Sequence, residues 1–223
     1  RRLKILLPPL EEQRRIAAIL DKADEVERET ARIQEMRDEI IQATFLDMFG
    51  DPGTNSKNLL TSPVTEVFGI TTGKLDSNAS VPGGNYPFFT CSKDVLSIDR
   101  YAFDCECLLL AGNNASGDFD VKYYDGKFDA YQRTYVLTSN GINLQYGKIA
   151  LEYQLEQLKR VSLGTNTKYL TLKILERIFL QLPPIELQNQ FADIVHQINA
   201  MDLSALETQA TTLKAALSQK LLS

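Results

Sequence analysis

Apolar residues recur with helical spacing in two long stretches of the chain. In the first, Ile19, Val26 and Ile33 follow one another at seven-residue intervals. Neither stretch has an interior glycine or proline, so both are predicted to be long helices, at residues 9–49 and 184–223. Their apolar rows are narrow, which is typical of helices that pair as an antiparallel coiled coil. The residues expected to pair are Ile16, Ile19, Val26, Ile33, Ile40, Phe191, Ile194, Ile198, Met201, Leu206, Leu213 and Leu217.

Both predicted helices begin with the same motif. Leu7-Pro8-Pro9-Leu10 opens the first, and Leu182-Pro183-Pro184-Ile185 opens the second. Proline suits the first helical turn because that turn needs no N–H donor, and a glutamate follows in each copy where the helix dipole favours negative charge. The first helix is expected to end at Phe49-Gly50-Asp51-Pro52-Gly53, a run of helix-breaking residues. One structural part is therefore used twice, with something different in between.

The middle of the chain, residues 54–180, has a different pattern. Short runs rich in β-branched and aromatic residues alternate with clusters of Gly, Asn, Asp and Pro, which predicts strands joined by turns. The predicted strands are 86–91, 105–111, 121–124 and 134–138, and helical patterning returns at 144–159 and 170–178. Asp125-Gly126 is a candidate hairpin turn.

The predicted fold class is therefore α+β: a β-rich domain with small helices, plus the two long paired helices. The expected boundaries are residues 1–8 as the end of a preceding, absent domain, 9–49 as the first long helix, 50–183 as the β-rich domain, and 184–223 as the second long helix.

Composition places the chain among soluble globular proteins. It has 223 residues, 43% of them hydrophobic and 24% charged. No apolar run reaches the roughly 18 residues that span a bilayer, and three cysteines do not make a disulfide framework, so a cytoplasmic location is expected and no membrane partner. The net charge of −5 is concentrated in the first long helix, while the middle segment is close to neutral. Charge neither proves nor excludes a nucleic-acid partner.

The sequence offers little evidence of catalysis. It lacks a phosphate-binding Gly-x-x-x-x-Gly-Lys-[Ser/Thr] motif, a nucleophile elbow and a serine or cysteine paired with histidine. Cys91, Cys105 and Cys107 invite a zinc interpretation, but the single histidine, His196, lies in the second long helix. Core thiols are the better interpretation of the cysteines, and no metal is expected.

The order of these parts resembles a known family. A β-rich segment that ends in GTNTKYLTLKILERIFLQLPPIELQNQFADIV, preceded by LLPPLEEQRRIAAILDKADEV, resembles the specificity (S) subunit of Type I restriction-modification systems. Gly164-Thr165-Asn166-Thr167 is similar to the segment that closes a target recognition domain in that family, and GKFDAYQRTYVL to its mid-domain segment. The chain resembles the C-terminal half of such a subunit; alternatively, its parent is a half-length subunit that dimerises.

The resemblance implies a function without catalysis. The recognition domain would read one half of a bipartite double-stranded DNA target. The paired helices would set the spacing and dock methyltransferase (M) subunits, with restriction/translocase (R) subunits joining through the complex. S-adenosylmethionine, ATP and Mg would belong to those partners, and this chain would hold no cofactor. The acidic face of the first helix is either the docking surface or a solvated face: Glu25, Glu27, Glu29, Glu35, Asp38 and Glu39.

The candidate DNA contacts are polar residues of the predicted loops and strand ends. Arginine can bond guanine bidentately, asparagine and glutamine can bond adenine, and lysine and threonine can position phosphates. The candidates are Lys74, Asn78, Lys93, Asn113, Asn114, Ser116, Lys122, Tyr123, Lys127, Gln132, Arg133, Lys148, Asn166, Thr167 and Lys168. Two other functions remain open: a coiled-coil protein-interaction module without DNA binding, and the C-terminal recognition part of a fused restriction-methylation enzyme.

Overall fold

A computed structural model of the chain describes residues 9–113, 119–161 and 169–200, together with Thr208 and Thr212. Two compact units are present, one of Ala43–Val195 and one of Arg1–Gln42 with His196–Ser223. The helices are α1 (Leu10–Phe49), α2 (Val64–Val67), α3 (Leu144–Val161), α4 (Leu172–Leu175) and α5 (Ile185–Asn199), and a 3-10 turn spans Ser77–Ala79. The strands are β1 (Thr61–Pro63), β2 (Phe68–Thr72), β3 (Tyr86–Phe89), β4 (Leu96–Ile98), β5 (Phe103–Ala111), β6 (Val121–Ala130), β7 (Thr134–Ser139) and β8 (Phe179–Gln181). The predicted α+β fold class is confirmed.

Helix α1 is bounded by the residues that the sequence indicated. Its first turn closes when the Gln13 N–H donates to the Pro9 carbonyl at 3.0 Å. At its other end Gly50 has φ +77° and donates its N–H to the Leu46 carbonyl at 2.8 Å, the left-handed cap that glycine favours. The Lys57 ammonium also donates to the carbonyl of Met48 at 3.0 Å, which places a positive charge at the negative end of the helix dipole.

The buried row of α1 differs from the predicted row at one position. Val26 is buried, as is Ala23 one turn earlier, while Ile16, Ile19 and Ile33 are half-buried. Ile40 was expected to continue this row, but half of its surface is exposed and the neighbouring Ile41 is buried instead. A straight helix of 3.6 residues per turn drifts away from a strict seven-residue repeat, so the buried face moves on by one position over several turns.

Helix α5 begins one residue after Pro184, whose carbonyl accepts the N–H groups of Leu187 and Gln188. Phe191, Val195 and Ile198 are buried and Ile194 is half-buried, whereas His196 is exposed. The remaining residues expected to pair, Met201, Leu206, Leu213 and Leu217, lie outside the described residues. The antiparallel coiled coil therefore stays a prediction.

The main sheet has six strands in the order β2-β7-β5-β6-β3-β4. All neighbours are antiparallel except β3 and β6, which run parallel. Although β2 and β6 are far apart in this order, their ends touch. Gly73, directly after β2, donates its N–H to the Thr134 carbonyl at 3.3 Å. Gly73 also lies so close to Ala130, the last residue of β6, that an added Cβ would be 1.9 Å from the Ala130 carbonyl oxygen. The sheet is therefore strongly curled.

Both faces of the sheet are covered by apolar side chains. On one face, buried residues from four strands form a core: Phe89, Cys107, Leu109, Phe128, Ala130 and Val136. On the other face Leu108, Leu110 and Leu137 are buried, and α3 packs against β5 and β6. Successive residues of a strand point to opposite faces, so the continuous apolar run of β5 serves both cores.

Two local predictions were wrong. Asp125-Gly126 is not a hairpin turn, because β6 continues through it and Gly126 pairs with Cys105 of β5. Gly126 has φ +131° and lies beneath the Tyr124 ring, an arrangement that suits a glycine inside a strand. The helix expected at 170–178 is the single turn of α4, since the chain then enters β8. By contrast, the helix predicted at 144–159 is present as α3.

Aromatic rings connect the end of α1 to the domain. Phe45 stacks on Tyr146 and Tyr153 of α3, with ring centroids 5.5 Å apart in each case. Phe49 meets the edge of Tyr146 at 4.7 Å, and Phe191 of α5 approaches both phenylalanines at 5.6 Å. These five residues are called the base cluster below. It holds the last turns of α1, α3 and the first turns of α5 together within the unit Ala43–Val195.

The glutamine of the second proline motif has a defined structural role. Gln188 is buried, donates from Nε2 to the Pro183 carbonyl at 2.8 Å and accepts the Asn143 N–H at 2.9 Å. Asn143 in turn caps α3 by accepting the N–H of Gln145 at 2.9 Å. The motif therefore joins the start of α5 to the start of α3. Among the described residues no helix is long and apolar enough to cross a membrane.

Candidate nucleic-acid interface

Loops from five parts of the chain meet where β6 ends. The turn at residues 131–133 is bonded to the segment after β2: the Gln132 N–H donates to the Leu75 carbonyl at 2.9 Å. The Gln132 side chain donates from Nε2 to Asp76 Oδ1 at 2.8 Å. Lys74 and Asn78 belong to this same segment, and both are exposed. The backbone bonds therefore hold three of the predicted DNA contacts on one surface.

Arg133 is fixed at both its backbone and its side chain. Its carbonyl accepts the Gly112 N–H at 2.9 Å and the Cys91 thiol at 3.4 Å. Its guanidinium lies 5.5 Å from the centre of the Tyr169 ring, a cation–π distance. Tyr169 forms a β-bridge with Asn113, so the ring belongs to the same group of loops. A Cβ on Gly112 would lie 2.5 Å from the Arg133 carbonyl oxygen, so only glycine permits this approach.

Lys122 and Lys93 extend the surface on the side of β3. The Lys122 ammonium donates to the Ser92 carbonyl at 3.0 Å and pairs with Asp120. Burial lowers the pKa of Lys122 from its usual value. Lys93, next to Ser92, is exposed. We call the following seven residues the turn cluster: Lys74, Asn78, Lys93, Asn113, Lys122, Gln132 and Arg133.

Three other predicted contacts lie elsewhere in the structure. Tyr123 faces away from Lys122 and donates its hydroxyl to Glu106 at 2.8 Å; burial and this carboxylate raise its pKa to about 12. Lys127 lies opposite Asp104, and Lys148 pairs with Glu152 of α3 at 2.7 Å. The predicted contacts Asn114, Ser116, Asn166, Thr167 and Lys168 lie outside the described residues.

The structure adds two residues that sequence reasoning did not select. Tyr169 lies under the Arg133 guanidinium, and Arg100 forms an ion pair with the buried Asp129 at 3.1 Å. The sequence contained one usable signal: Tyr169 directly follows the polar segment that resembles the end of a recognition domain. Nothing in the sequence pointed to Arg100, because its ion-pair partner, Asp129, is distant in the chain.

The cysteines do not form a metal site in the described part of the chain, where no group of three or more His, Cys, Asp or Glu side chains could hold an ion. Cys107 is buried in the core of the sheet, and Cys105 packs against the same core. Burial, followed by the neighbouring Cys105, raises the pKa of the Cys107 thiol above its usual value. A thiol of this kind is inert and neutral at physiological pH.

Residues 57–214 match the family model described as Type I restriction modification DNA specificity domain. The chain belongs to this family. The match covers β1 to β8 and the described part of α5, so it includes the curled sheet, the turn cluster and the second proline motif. The resemblance noted from the sequence is confirmed.

Two relatives of this specificity domain are informative. The Type I restriction enzyme EcoDI specificity subunit of Escherichia coli is 36% identical over 154 residues, which are 69% of this chain and 32% of the relative. A putative type I specificity subunit of Mycoplasma pneumoniae is 28% identical over 200 residues, 86% of this chain and 82% of the relative. The chain thus spans about a third of the E. coli protein and most of the mycoplasma protein.

Solved structures share the fold of this specificity domain. The S subunit of a Type I restriction-modification system from M. genitalium superposes with a TM-score of 0.70 at 18% identity, covering 96% of this chain and 60% of the other. The HsdS subunit from Thermoanaerobacter tengcongensis gives a TM-score of 0.54 at 22% identity, covering 97% and 58%. The architecture of a long helix with a β-rich domain is therefore common to all three.

Proposed function

We propose that this chain is the DNA-reading part of a Type I restriction-modification specificity subunit and performs no catalysis itself. Residues 50–183 would read one half of a bipartite double-stranded DNA sequence. Family membership supports this function, and one structural observation supports the place of contact. In the turn cluster, exposed cations and amides project from loops that are bonded to one another through their backbones.

The turn cluster combines the two kinds of contact that sequence-specific binding needs. Lys74 and Lys93 are exposed ammonium groups on flexible side chains, which suits contacts with phosphates. Arg133 is held over Tyr169 and Gln132 is held by Asp76, which reduces the entropy lost when either bonds a base edge. We assign phosphate contact to the two lysines and base contact to Arg133 and Gln132.

The long helices would set the distance between two recognition domains and dock the partner subunits. At ~1.5 Å per residue, the 40 residues of α1 make a helix of about 60 Å. One turn of DNA is about 34 Å long, so helices of this length can separate two half-sites by unread base pairs. This explains why the proline motif occurs twice: each copy starts one spacer helix.

We assign the docking of methyltransferase subunits to the acidic face of α1. Its members, Glu25, Glu27, Glu29, Glu35, Asp38 and Glu39, are exposed. Phosphates are repelled by such a face, so it suits a basic protein surface better than DNA. Restriction/translocase subunits would join through the assembled complex. S-adenosylmethionine, ATP and Mg would be bound by these partners.

The decisive experiment uses the full-length subunit that contains this chain, assembled with its methyltransferase subunits. Selection from random DNA duplexes should yield a bipartite motif, and affinity should fall steeply with salt because phosphate contacts release counterions. Arg133→Ala should lower affinity for the selected duplex about ten- to a hundred-fold and relax one position of the motif.

Arg177→Ala is the matched control, because Arg177 is an exposed arginine of the same domain outside the turn cluster. It should leave motif and affinity unchanged. If the wild-type complex selects no sequence and binds without salt dependence, the protein-interaction module is the better function. If both arginine variants bind equally well, the turn cluster is not the reading surface.

A further inference from the structure

Arg100 lies in the loop between β4 and β5 and is held by a buried carboxylate. Its Nε donates to Asp129 Oδ2 at 3.1 Å. The Asp129 side chain is 1% exposed, whereas that of Arg100 is 63% exposed. Asp129 Oδ1 also accepts the Ala130 N–H at 2.9 Å, which fixes the orientation of the carboxylate. The pair therefore joins an immobile anion inside the domain to a cation on its surface.

This arrangement determines which donors of Arg100 remain available. Burying a carboxylate is unfavourable unless it is paired and hydrogen-bonded, so Asp129 strongly favours keeping Arg100 in place. Asp129 occupies the Nε side of the guanidinium. In the described part of the chain no hydrogen bond donated by Nη1 or Nη2 is found, so the N–H groups of these two nitrogens are left to bond a ligand.

The loop that carries Arg100 is itself held on both sides. Tyr101 packs on Tyr86 of β3 with ring centroids 5.0 Å apart, and the Lys127 ammonium lies 4.8 Å from the Tyr101 ring. The Ala102 N–H donates to the Phe128 carbonyl at 3.0 Å. Arg100 is thus presented from a fixed backbone, as a base-reading side chain must be.

The charges around Arg100 disfavour a phosphate partner. Asp129 pairs with Arg100 directly, Asp99 precedes it in the chain, and Asp104 lies opposite Lys127 in the strand register. This part of the domain therefore carries three carboxylates and two cations, Arg100 and Lys127. A phosphate oxygen would be repelled by this surplus of negative charge, whereas a neutral acceptor pair would not.

We propose that Arg100, oriented by Asp129, is a specificity-determining residue that reads a guanine through its Nη1 and Nη2 donors. Guanine presents two neutral acceptors, O6 and N7, in the major groove, and bidentate arginine is the commonest specific contact to them. Asp129 is three residues before Gln132, so their Cα atoms are at most about 11 Å apart. The residue that orients Arg100 therefore lies close to the Gln132 end of the turn cluster. The assignment rests on the proposed function in DNA reading.

The test compares Arg100→Lys with the wild type in the full-length subunit assembled with its methyltransferase subunits. Lysine keeps the positive charge but lacks the paired Nη1 and Nη2 donors of the guanidinium. Selection from random duplexes should lose one guanine from the motif, and affinity for the wild-type sequence should fall about ten- to a hundred-fold. The dependence of affinity on salt should not change, because no phosphate contact is removed. Arg177→Lys, at an exposed arginine of the same domain, is the control and should select the wild-type motif.

Asp129→Asn tests the positioning role, because asparagine has the same size without the charge. It should weaken selection of the same guanine position. Thermal unfolding verifies that the variant domain is folded. If the variant does not fold, the result for Arg100→Lys alone tests the assignment. An unchanged motif and affinity for Arg100→Lys overturns the assignment. So does an unchanged motif for Arg100→Gln together with a smaller salt dependence, because glutamine removes the charge and its loss would then reveal a phosphate contact. A wild-type complex that selects no sequence removes the proposed function, and this assignment with it.

Discussion

Tyr146 shows how one residue of the domain combines packing with a buried hydrogen bond. It is fully buried, its ring belongs to the base cluster, and its hydroxyl donates to the Gln181 carbonyl at 2.9 Å. Burial raises the pKa of Tyr146 above its usual value, since the anion would be poorly solvated there. The folded state therefore requires the neutral phenol, and the unfolded state does not.

This difference makes the contribution of Tyr146 pH-dependent. A tyrosine in the unfolded chain ionises near pH 10, whereas the folded one resists ionisation, so stability should fall as pH rises above about 10. Tyr146→Phe should cost about 1 kcal/mol at neutral pH because the Gln181 carbonyl loses its donor. The variant should lose less stability than the wild type between pH 9 and about 11. Urea unfolding at several pH values measures both effects.

Tyr86→Phe is the control for the loss of a phenol, because the Tyr86 hydroxyl makes no hydrogen bond within the described residues. It should unfold like the wild type at neutral pH. A Tyr146→Phe protein that shows the full alkaline loss of the wild type would contradict the assignment of that loss to Tyr146.

At the level of elements, the second proline motif is more than a helix start. Gln188 uses both ends of its amide inside the protein, bonding Pro183 just before α5 and Asn143 at the cap of α3. The proline and glutamate of the motif act locally, on the helix that they begin. The glutamine acts between elements, so its role becomes visible only when α3 is in place.

The glutamine pair in α5 allows a matched test of this connection. Gln188→Met keeps the length of the side chain but leaves the half-buried Asn143 N–H and the buried Pro183 carbonyl without their partner, which should destabilise the domain by about 1–3 kcal/mol. Gln190→Met, at an exposed position of the same helix, should change the free energy of unfolding by less than about 0.5 kcal/mol. Chemical denaturation of both variants measures the two losses of unfolding free energy. Equal losses would mean that the hydrogen bonds of Gln188 do not stabilise the domain.

At the scale of the whole molecule, the base cluster is where the long helix α1 becomes part of the β-rich domain. The compact unit begins at Ala43, inside α1, and ends at Val195, inside α5. Helices α1 and α5 therefore both contribute turns to the domain core through Phe45, Phe49 and Phe191. Cutting the chain at the ends of the β-rich segment would remove these rings from the core.

The stability of the domain should accordingly depend on the end of α1. Phe45→Ala removes a ring that contacts four others, and deletion of a buried phenylalanine typically costs about 3–5 kcal/mol. Leu46→Ala, at the next residue and 39% exposed, should cost much less. Unfolding of the intact protein, followed by circular dichroism, measures the difference. Similar losses in the two variants would show that α1 is not integral to the domain core.

Prediction from the sequence succeeded where the cause is local. The ends of α1 follow from a proline motif and a glycine at φ +77°, α3 follows from its helical spacing, and β3, β5 and β7 follow from runs of apolar residues. Prediction failed where contacts between residues distant in the chain, rather than the local sequence, determine the structure. Asp125-Gly126 has the composition of a turn, but pairing with Cys105 extends β6 through it. Ile40 continues a seven-residue row, but the twist of the helix buries Ile41 instead.

By itself, then, the sequence determined the long helix α1, the start of α5, the α+β class and the family, because caps, periodicity and repeated motifs act over a few residues. Only the tertiary structure decided which polar residues share a surface. Gln132 meets Asp76, Arg133 meets Tyr169, and Arg100 meets Asp129, through contacts between residues that are far apart in the chain. Such pairs are created when the sheet curls, and no local pattern of side chains records them in advance.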